Sequence, residues 1–405
     1  MPSEVRPAGL SPMSCGHRPW HPKIWYGMGL VVWLQLLWRH RFAIDACRVP
    51  VTITATLLSL RNSAAAAIQS AVLRLRSADD ITEPPLFVIG HWRCGTTWLH
   101  ELLAQDDRHT YPTTFECLAP TNFLVSEFMV TWLFSRLFAP LRRPMDSMPV
   151  EWRSPQEDEL ALMIMGQPSP YERFAFPNGP FPDRPGLTLE LRPDEAERWK
   201  TALRRFLTVV SHRRPKRRLI LKSPAHMGRV RMLLEMFPDA RFVHVIRDPY
   251  VVFPSSVHMW QSMSEAHGLQ QPTCEGLNEF VLEAFLALHD SFAEARAVIG
   301  PRRLVEVRYE DLVRDPIAVL REIYDRLELG SLDPALPQIQ QRLASSTDYK
   351  VNSYALAPAL QDDITRRWGA IIRRQQYAVR PLSSQAHARR SANGVSHAIR
   401  PPASV

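Results

Sequence analysis

Apolar and polar positions divide the chain into blocks. Ile24–Trp38 (IWYGMGLVVWLQLLW) has one polar side chain, Gln35, and runs into Arg39, His40 and Arg41; a second apolar run, Val49–Leu60, follows. Fifteen residues fall short of the ~20 that a spanning helix needs. The run also starts late for a signal peptide and has no small-residue cleavage site after it. Three tryptophans flanked by arginines suit a helix lying in a membrane interface. The alternative is a helix pair packed on the body of the chain or across a homodimer.

Further on, short unbroken apolar runs alternate with longer amphipathic ones. Leu86–Gly90 (LFVIG), Arg218–Leu221, Arg241–Ile246 (RFVHVI) and Leu304–Val307 read as buried strands. Helical stretches are expected from Thr96 to about Ala104, over 226–236, 249–265 and 278–298, and from Pro316 to Leu327. This order predicts an α/β fold, a parallel β-sheet flanked by helices on both faces. Residues 136–190 hold ten prolines and are expected to form a loop-rich lid with little regular structure. From about Pro381 large apolar residues almost vanish, which reads as a disordered basic tail. The division expected is an apolar basic N-terminal region (1–76), a catalytic domain (77–378) and the tail (379–405).

Charge changes the picture in one respect. The net charge is +8, but residues 1–76 and 378–405 carry the excess, and the stretch between is about −3. That argues against a nucleic-acid-binding body. Five scattered cysteines without CxxC spacing argue against a zinc site or a disulfide scaffold and suit a cytoplasmic protein, attached to a membrane surface if the first run docks there. With only five lysines against 44 arginines, each lysine is informative.

Candidate chemistry begins in the loop after the first strand, Gly90-His-Trp-Arg-Cys-Gly95-Thr96-Thr97. Its glycines have phosphate-loop spacing, and a helix N-terminus follows. A nucleoside-triphosphatase or P-loop kinase needs Lys where Thr96 stands, together with magnesium ligands. Here Arg93 is the loop's cation, so the loop suits a phosphate-type anion without metal. Strand 241–246 ends in Arg247-Asp248-Pro249, with Ser255 eight residues beyond the arginine; Asp248 and Pro249 are expected to start a helix.

Arg93-Cys94-Gly95-Thr96-Thr97-Trp98 and the Arg247/Ser255 pair resemble the sulfotransferases that use 3′-phosphoadenosine 5′-phosphosulfate (PAPS), closest in spacing to the tyrosyl-protein branch. The resemblance covers about residues 84–355. It implies a P-loop-like three-layer fold. It also implies that residues 93–98 grip the 5′-phosphosulfate and that Arg247 and Ser255 grip the 3′-phosphate. Cys94 replaces the usual serine, keeping the backbone donor and losing a hydroxyl. By the same resemblance Lys222, at the end of its strand, serves the sulfuryl group, and Tyr309 packs near the adenine. The loop containing Ser346 and Lys350 closes over the nucleotide, although it is two residues shorter than in that branch. A further arginine of the branch would fall on Met259, its role left to His258.

Sulfuryl transfer to a hydroxyl needs a base. Glu116, 23 residues after Arg93, is the first candidate and His226 the rival. The acidic helix start 155–160 reads either as macrodipole capping or as acceptor binding. Trp152, Tyr171, Phe174 and Phe176 suggest a lipid-like or aromatic small-molecule acceptor; glycans are also open. The competing readings are a P-loop kinase and a non-catalytic nucleotide-binding, membrane-associated protein, for which Lys222 and Glu116 would be dispensable.

Overall fold

The computed structural model describes residues 23–74, 81, 83–137, 141–142, 149–179, 191–345 and 356–383. Its centre is a five-stranded sheet of β1 (Leu86–Ile89), β2 (His109–Thr110), β5 (Arg218–Lys222), β6 (Arg241–Ile246) and β7 (Leu304–Arg308), in the spatial order β2-β5-β1-β6-β7. All four pairings are parallel. Every residue of β1 is buried, as an unbroken apolar run in the middle of a parallel sheet requires. A small antiparallel ribbon, β3 (Leu141–Arg142) with β4 (Pro149–Val150), stands apart.

Helices flank the sheet. After β1 comes α3 (Thr96–Leu103), which packs on β1 and β5; α1 (Leu30–Arg39) and α2 (Val49–Arg74) precede it. Between β2 and β5 lie α4 (Thr114–Leu118), α5 (Phe123–Leu137), α6 (Asp158–Ile164) and α7 (Pro193–Arg213). After β5 follow α8 (Val230–Met236), then α9 (Pro249–His267) and α10 (Leu277–Ile299) beyond β6. The chain closes with α11 (Tyr309–Arg314), α12 (Pro316–Arg326), α13 (Leu336–Ala344) and α14 (Pro358–Arg374). The expected start of α9 holds: the Asp248 carboxylate accepts from the Tyr250 amide at 2.9 Å, and Pro249 fills the first helical position.

Two expectations need correction. The segment expected to be helical from 226 begins as a 3-10 turn, Pro224–Gly228, capped by Ser223. Within the Pro-rich 136–190 stretch, α6 is regular and wholly buried, so this part is a wall rather than a loose lid.

The N-terminal residues share the core of the sheet domain. Trp25 and Trp33 are fully buried. The Trp25 indole donates to the His267 carbonyl at 2.5 Å, and Lys23 Nζ donates to the Ala266 carbonyl at 2.6 Å. The 3-10 turn Ile24–Gly27 packs on α4 and α6, so closely that a Cβ at Gly27 would stand 1.7 Å from the Leu118 carbonyl oxygen.

Candidate active site

Parallel strands present all their carboxyl ends at one edge of the sheet, where open α/β sheets bind ligands. Four adjacent strands deliver chemistry there: Lys222 ends β5, the Gly90–Thr97 loop follows β1, Arg247 follows β6 and Tyr309 follows β7.

The loop after β1 takes left-handed steps at Arg93 (φ 69°) and Gly95 (φ 93°) before α3 begins. Position 95 must be glycine, because a Cβ there would lie 2.2 Å from Cδ2 of Tyr309. The strained backbone at Arg93 is held from two sides. Its Nε donates to Ser255 Oγ at 3.0 Å, and its carbonyl accepts from Arg247 Nη1 at 2.9 Å. The Arg247 guanidinium in turn lies 4.1 Å from the centre of the Tyr309 ring. Arg93, Gly95, Arg247, Ser255 and Tyr309 are therefore one contact group, assembled from three segments far apart in sequence. Two guanidiniums, a hydroxyl and the N-terminus of α3 form a surface suited to anions. Thr96, Thr97 and Trp98 make the first turn of α3, and the Arg342 guanidinium lies 5.7 Å from the Trp98 ring centre.

Cys94 departs from expectation. Burial pushes its thiol up to about 12, Arg247 only partly opposing, so the side chain stays a neutral thiol. Its amide, expected as an anion donor, turns back to the His91 carbonyl at 3.3 Å.

A second group adjoins the first. Three consecutive carboxylates at the start of α6 meet three basic side chains at and beyond the end of β5: Glu157 with Lys222 at 2.5 Å, Asp158 with His226 at 2.6 Å, and Glu159 with Arg229 at 2.5 Å. Both partners are completely buried in the Asp158 pair, whereas Glu157 is 15% exposed. The Tyr171 hydroxyl donates to Glu157 and accepts from the Trp92 indole at 2.9 Å. Burial, then the Glu157 charge, hold that phenol well above its usual range, so it remains a proton donor. A hydrogen-bonded chain thus runs Trp92–Tyr171–Glu157–Lys222, from the anion loop to the end of β5.

Both bases nominated from the sequence have other work. Glu116 is completely buried. One of its oxygens caps α4 by accepting from the Thr113 amide at 2.8 Å; the other accepts from Arg213 at 2.8 Å and Arg214 at 3.1 Å. His226 is sealed against Asp158, with its ring edge-on to Phe87 and Trp199. Both are fully buried and held by these partners. Glu157 belongs to the acidic helix start 155–160, read from the sequence as capping or acceptor binding and not singled out as a base. Its partner's signal was present in the basic residues spaced at 222, 226 and 229, but nothing local pairs the two. Met259, the position a further arginine would occupy, is buried in the core. Ser346 and Lys350 lie outside the described residues. Among the described residues no cluster of three His, Cys, Asp or Glu side chains could hold a metal ion.

The chain resembles known proteins over most of its length. A model of the sulfotransferase family matches residues 84–334. The omega-hydroxy-beta-dihydromenaquinone-9 sulfotransferase Stf3 of Mycobacterium bovis is 43% identical over 362 residues, 89% of this chain and 92% of the relative, and the Mycobacterium tuberculosis protein of that name matches equally. Among solved structures, sulfotransferase STF9 from Mycobacterium avium superposes with a TM-score of 0.63 at 20% identity, covering 87% of this chain and 98% of that one. Sulfotransferase STF1 from M. tuberculosis H37Rv gives 0.54 at 17% identity, covering 84% and 90%. These two share the fold.

Proposed function

The chain belongs to the sulfotransferase family, and on that premise we propose that it moves the sulfuryl group of PAPS to a hydroxyl of a lipid-like acceptor at a membrane surface. The adjacency of the Lys222–Glu157 pair to the Arg93/Arg247 anion surface carries this reading.

In it, Arg93, Thr96 and Thr97 with the α3 N-terminus hold the 5′-phosphosulfate, around a turn shaped by Cys94 and Gly95 and backed by Trp98. Arg247 and Ser255 hold the 3′-phosphate, and Tyr309 lies against the adenine. Ser346 and Lys350 are assigned to nucleotide closure by sequence resemblance. The acceptor oxygen attacks sulfur, and the bond from sulfur to the bridging oxygen breaks. Adenosine 3′,5′-bisphosphate leaves with the bond's electron pair, and its new charge is met by Lys222. The acceptor proton goes to Glu157, the partly exposed carboxylate of the site, in place of Glu116 or His226. In-line transfer of this kind depends mainly on positioning and charge. The name of the 43%-identical relative supports an isoprenoid quinone with a terminal hydroxyl as the acceptor class.

Two measurements test the proposal. Calorimetry with adenosine 3′,5′-bisphosphate should show binding that ATP–Mg does not match; equal affinity for both would overturn the donor assignment. Labelled PAPS with isoprenoid quinones bearing or lacking a terminal hydroxyl should give a sulfate ester only with the hydroxylated one. Labelling of both would remove that hydroxyl as the target.

A further inference from the structure

Helix α2 is built inside out. Its inward face comprises Val51, Ala55, Ser59, Asn62 and Gln69, and the last three are polar. Asn62 and Gln69, with neighbouring Ser63, are tied to the body, while Ser59 donates to the Thr56 carbonyl of its own helix. Asn62 Nδ2 donates to the carbonyls of Tyr26 (2.7 Å) and Met28 (3.1 Å), Gln69 Oε1 accepts from the Leu124 amide (2.8 Å), and the Ser63 hydroxyl accepts from the Leu30 amide (2.8 Å). The outward face carries Ile53, Leu57, Leu60 and Ile68, all exposed, Leu57 to 67%. A surface helix bathed in water has the opposite arrangement. The neighbouring α1 extends the stripe: Val31, Leu34 and Trp38 point outward, Trp38 76% exposed, while Trp33, Leu36 and Leu37 are buried beneath. Single exposed apolar residues are ordinary, but a stripe along two packed helices marks an interaction surface.

Charge selects the occupant. Neither helix contains an acidic residue. Arg39 ends α1, Arg41 lies two residues beyond it and Arg61 follows Leu60; all three are exposed, Arg39 being paired with Glu172. Two copies of this face brought together about a twofold axis would set like charges against each other; an anionic lipid surface meets them with the opposite sign. Ala46–Leu73 is long and apolar enough to cross a membrane. However, its inward Asn62 and Gln69 side chains are bonded along the protein body, which keeps the helix flat. We propose that the outward faces of α1 and α2 form a docking surface for the anionic leaflet of a bilayer, with α2 lying in the interface plane. Docking would set the bilayer beside the acceptor wall: Arg39, at the end of α1, bonds Glu172 at 2.7 Å, next in sequence to Tyr171. The surface stands whatever acceptor the site takes, since no residue of the transfer chemistry belongs to it.

The test is flotation of the full-length protein with vesicles of phosphatidylcholine containing about 30% phosphatidylglycerol. The protein should float, and float less in ~0.5 M salt. Leu57→Glu and Ile53→Glu should each lower the partition coefficient about tenfold or more. Val298→Glu, at an exposed apolar position on α10, should leave it unchanged. Thermal melting and bisphosphate binding show that each variant is folded. Two results would overturn the proposal. One is flotation of Leu57→Glu at the level of the parent protein. The other is no flotation of the parent together with a concentration-dependent dimer, seen by sedimentation, that Leu57→Glu dissolves.

Discussion

Replacing Glu157 with glutamine separates the two carboxylates that compete for the role of base. The change keeps the shape and the hydrogen bond from Tyr171 but removes the proton acceptor, and a positioned general base contributes about 10²–10⁴ in rate. At ~1.4 kcal/mol per decade that is ~3–5 kcal/mol of barrier. Stability falls too, because Lys222 is 2% exposed and loses its counter-charge at 2.5 Å, a loss of about 3 kcal/mol for a buried pair broken on one side. The nucleotide surface of Arg93, Arg247 and Ser255 is bonded among itself, so bisphosphate affinity should stay within about threefold. The assay is single-turnover transfer from labelled PAPS at saturating donor, beside calorimetry and a melting curve. Glu116→Gln supplies the contrast. It weakens a capping box and the contacts to Arg213 and Arg214, so about 1–3 kcal/mol of stability goes while turnover stays within about threefold. Near-normal transfer by Glu157→Gln would refute the reasoning, as would abolished transfer in Glu116→Gln with melting unchanged.

Other expectations follow from the same geometry. Arg247→Ala removes the fork that meets the 3′-phosphate and releases the Arg93 carbonyl, so bisphosphate affinity should fall by about 10²-fold in calorimetry. Gly95→Ala drives a Cβ into Tyr309 and should abolish measurable nucleotide binding; adding Tyr309→Ala should restore only part of it, since the φ strain and the loss of the ring beside Arg247 and the adenine then remain. His91, buried against Trp92 and Phe285, has its pKa pushed down to about 4 by burial. Between that value and ~6.5 the unfolded chain binds a proton that the folded chain refuses, so stability falls as pH drops through this window, by ~1.4 kcal/mol per unit from this group. Chemical denaturation of His91→Phe at pH 7 and pH 5 should show a correspondingly smaller difference than in the parent.

The sheet was legible because its central strands are buried on both sides and therefore written as unbroken apolar runs, LFVI being the plainest. The edge strand His109–Thr110 is two residues long and polar, and has no such mark. The anion surface was legible for a related reason: strand ends followed by Gly-rich or Arg-Asp-Pro turns are local signals, and the parallel sheet gathers them without further instruction. The base was not. Thr113-Thr-Phe-Glu116 is also a capping-box sequence, and in the fold that local role is the one Glu116 has. Glu157 meets Lys222 across 65 residues of chain, and no periodicity or spacing encodes that encounter. The start of helix α6 was legible in the acidic run at 155–160; its burial was not, since the prolines around it dominate the segment and give it the composition of a loop.

On the roles proposed for Lys222 and Glu157, their resting pair carries a kinetic consequence. While each neutralises the other, Lys222 is withheld from the departing phosphate and Glu157 from an alcohol. An acceptor arriving first meets a carboxylate already committed to an ammonium. On the same proposal the incoming phosphosulfate brings the oxygens that draw Lys222 away and so uncovers Glu157. The order expected of such a pair is donor before acceptor, with the acceptor's hydroxyl left unactivated until there is a sulfur for it to attack.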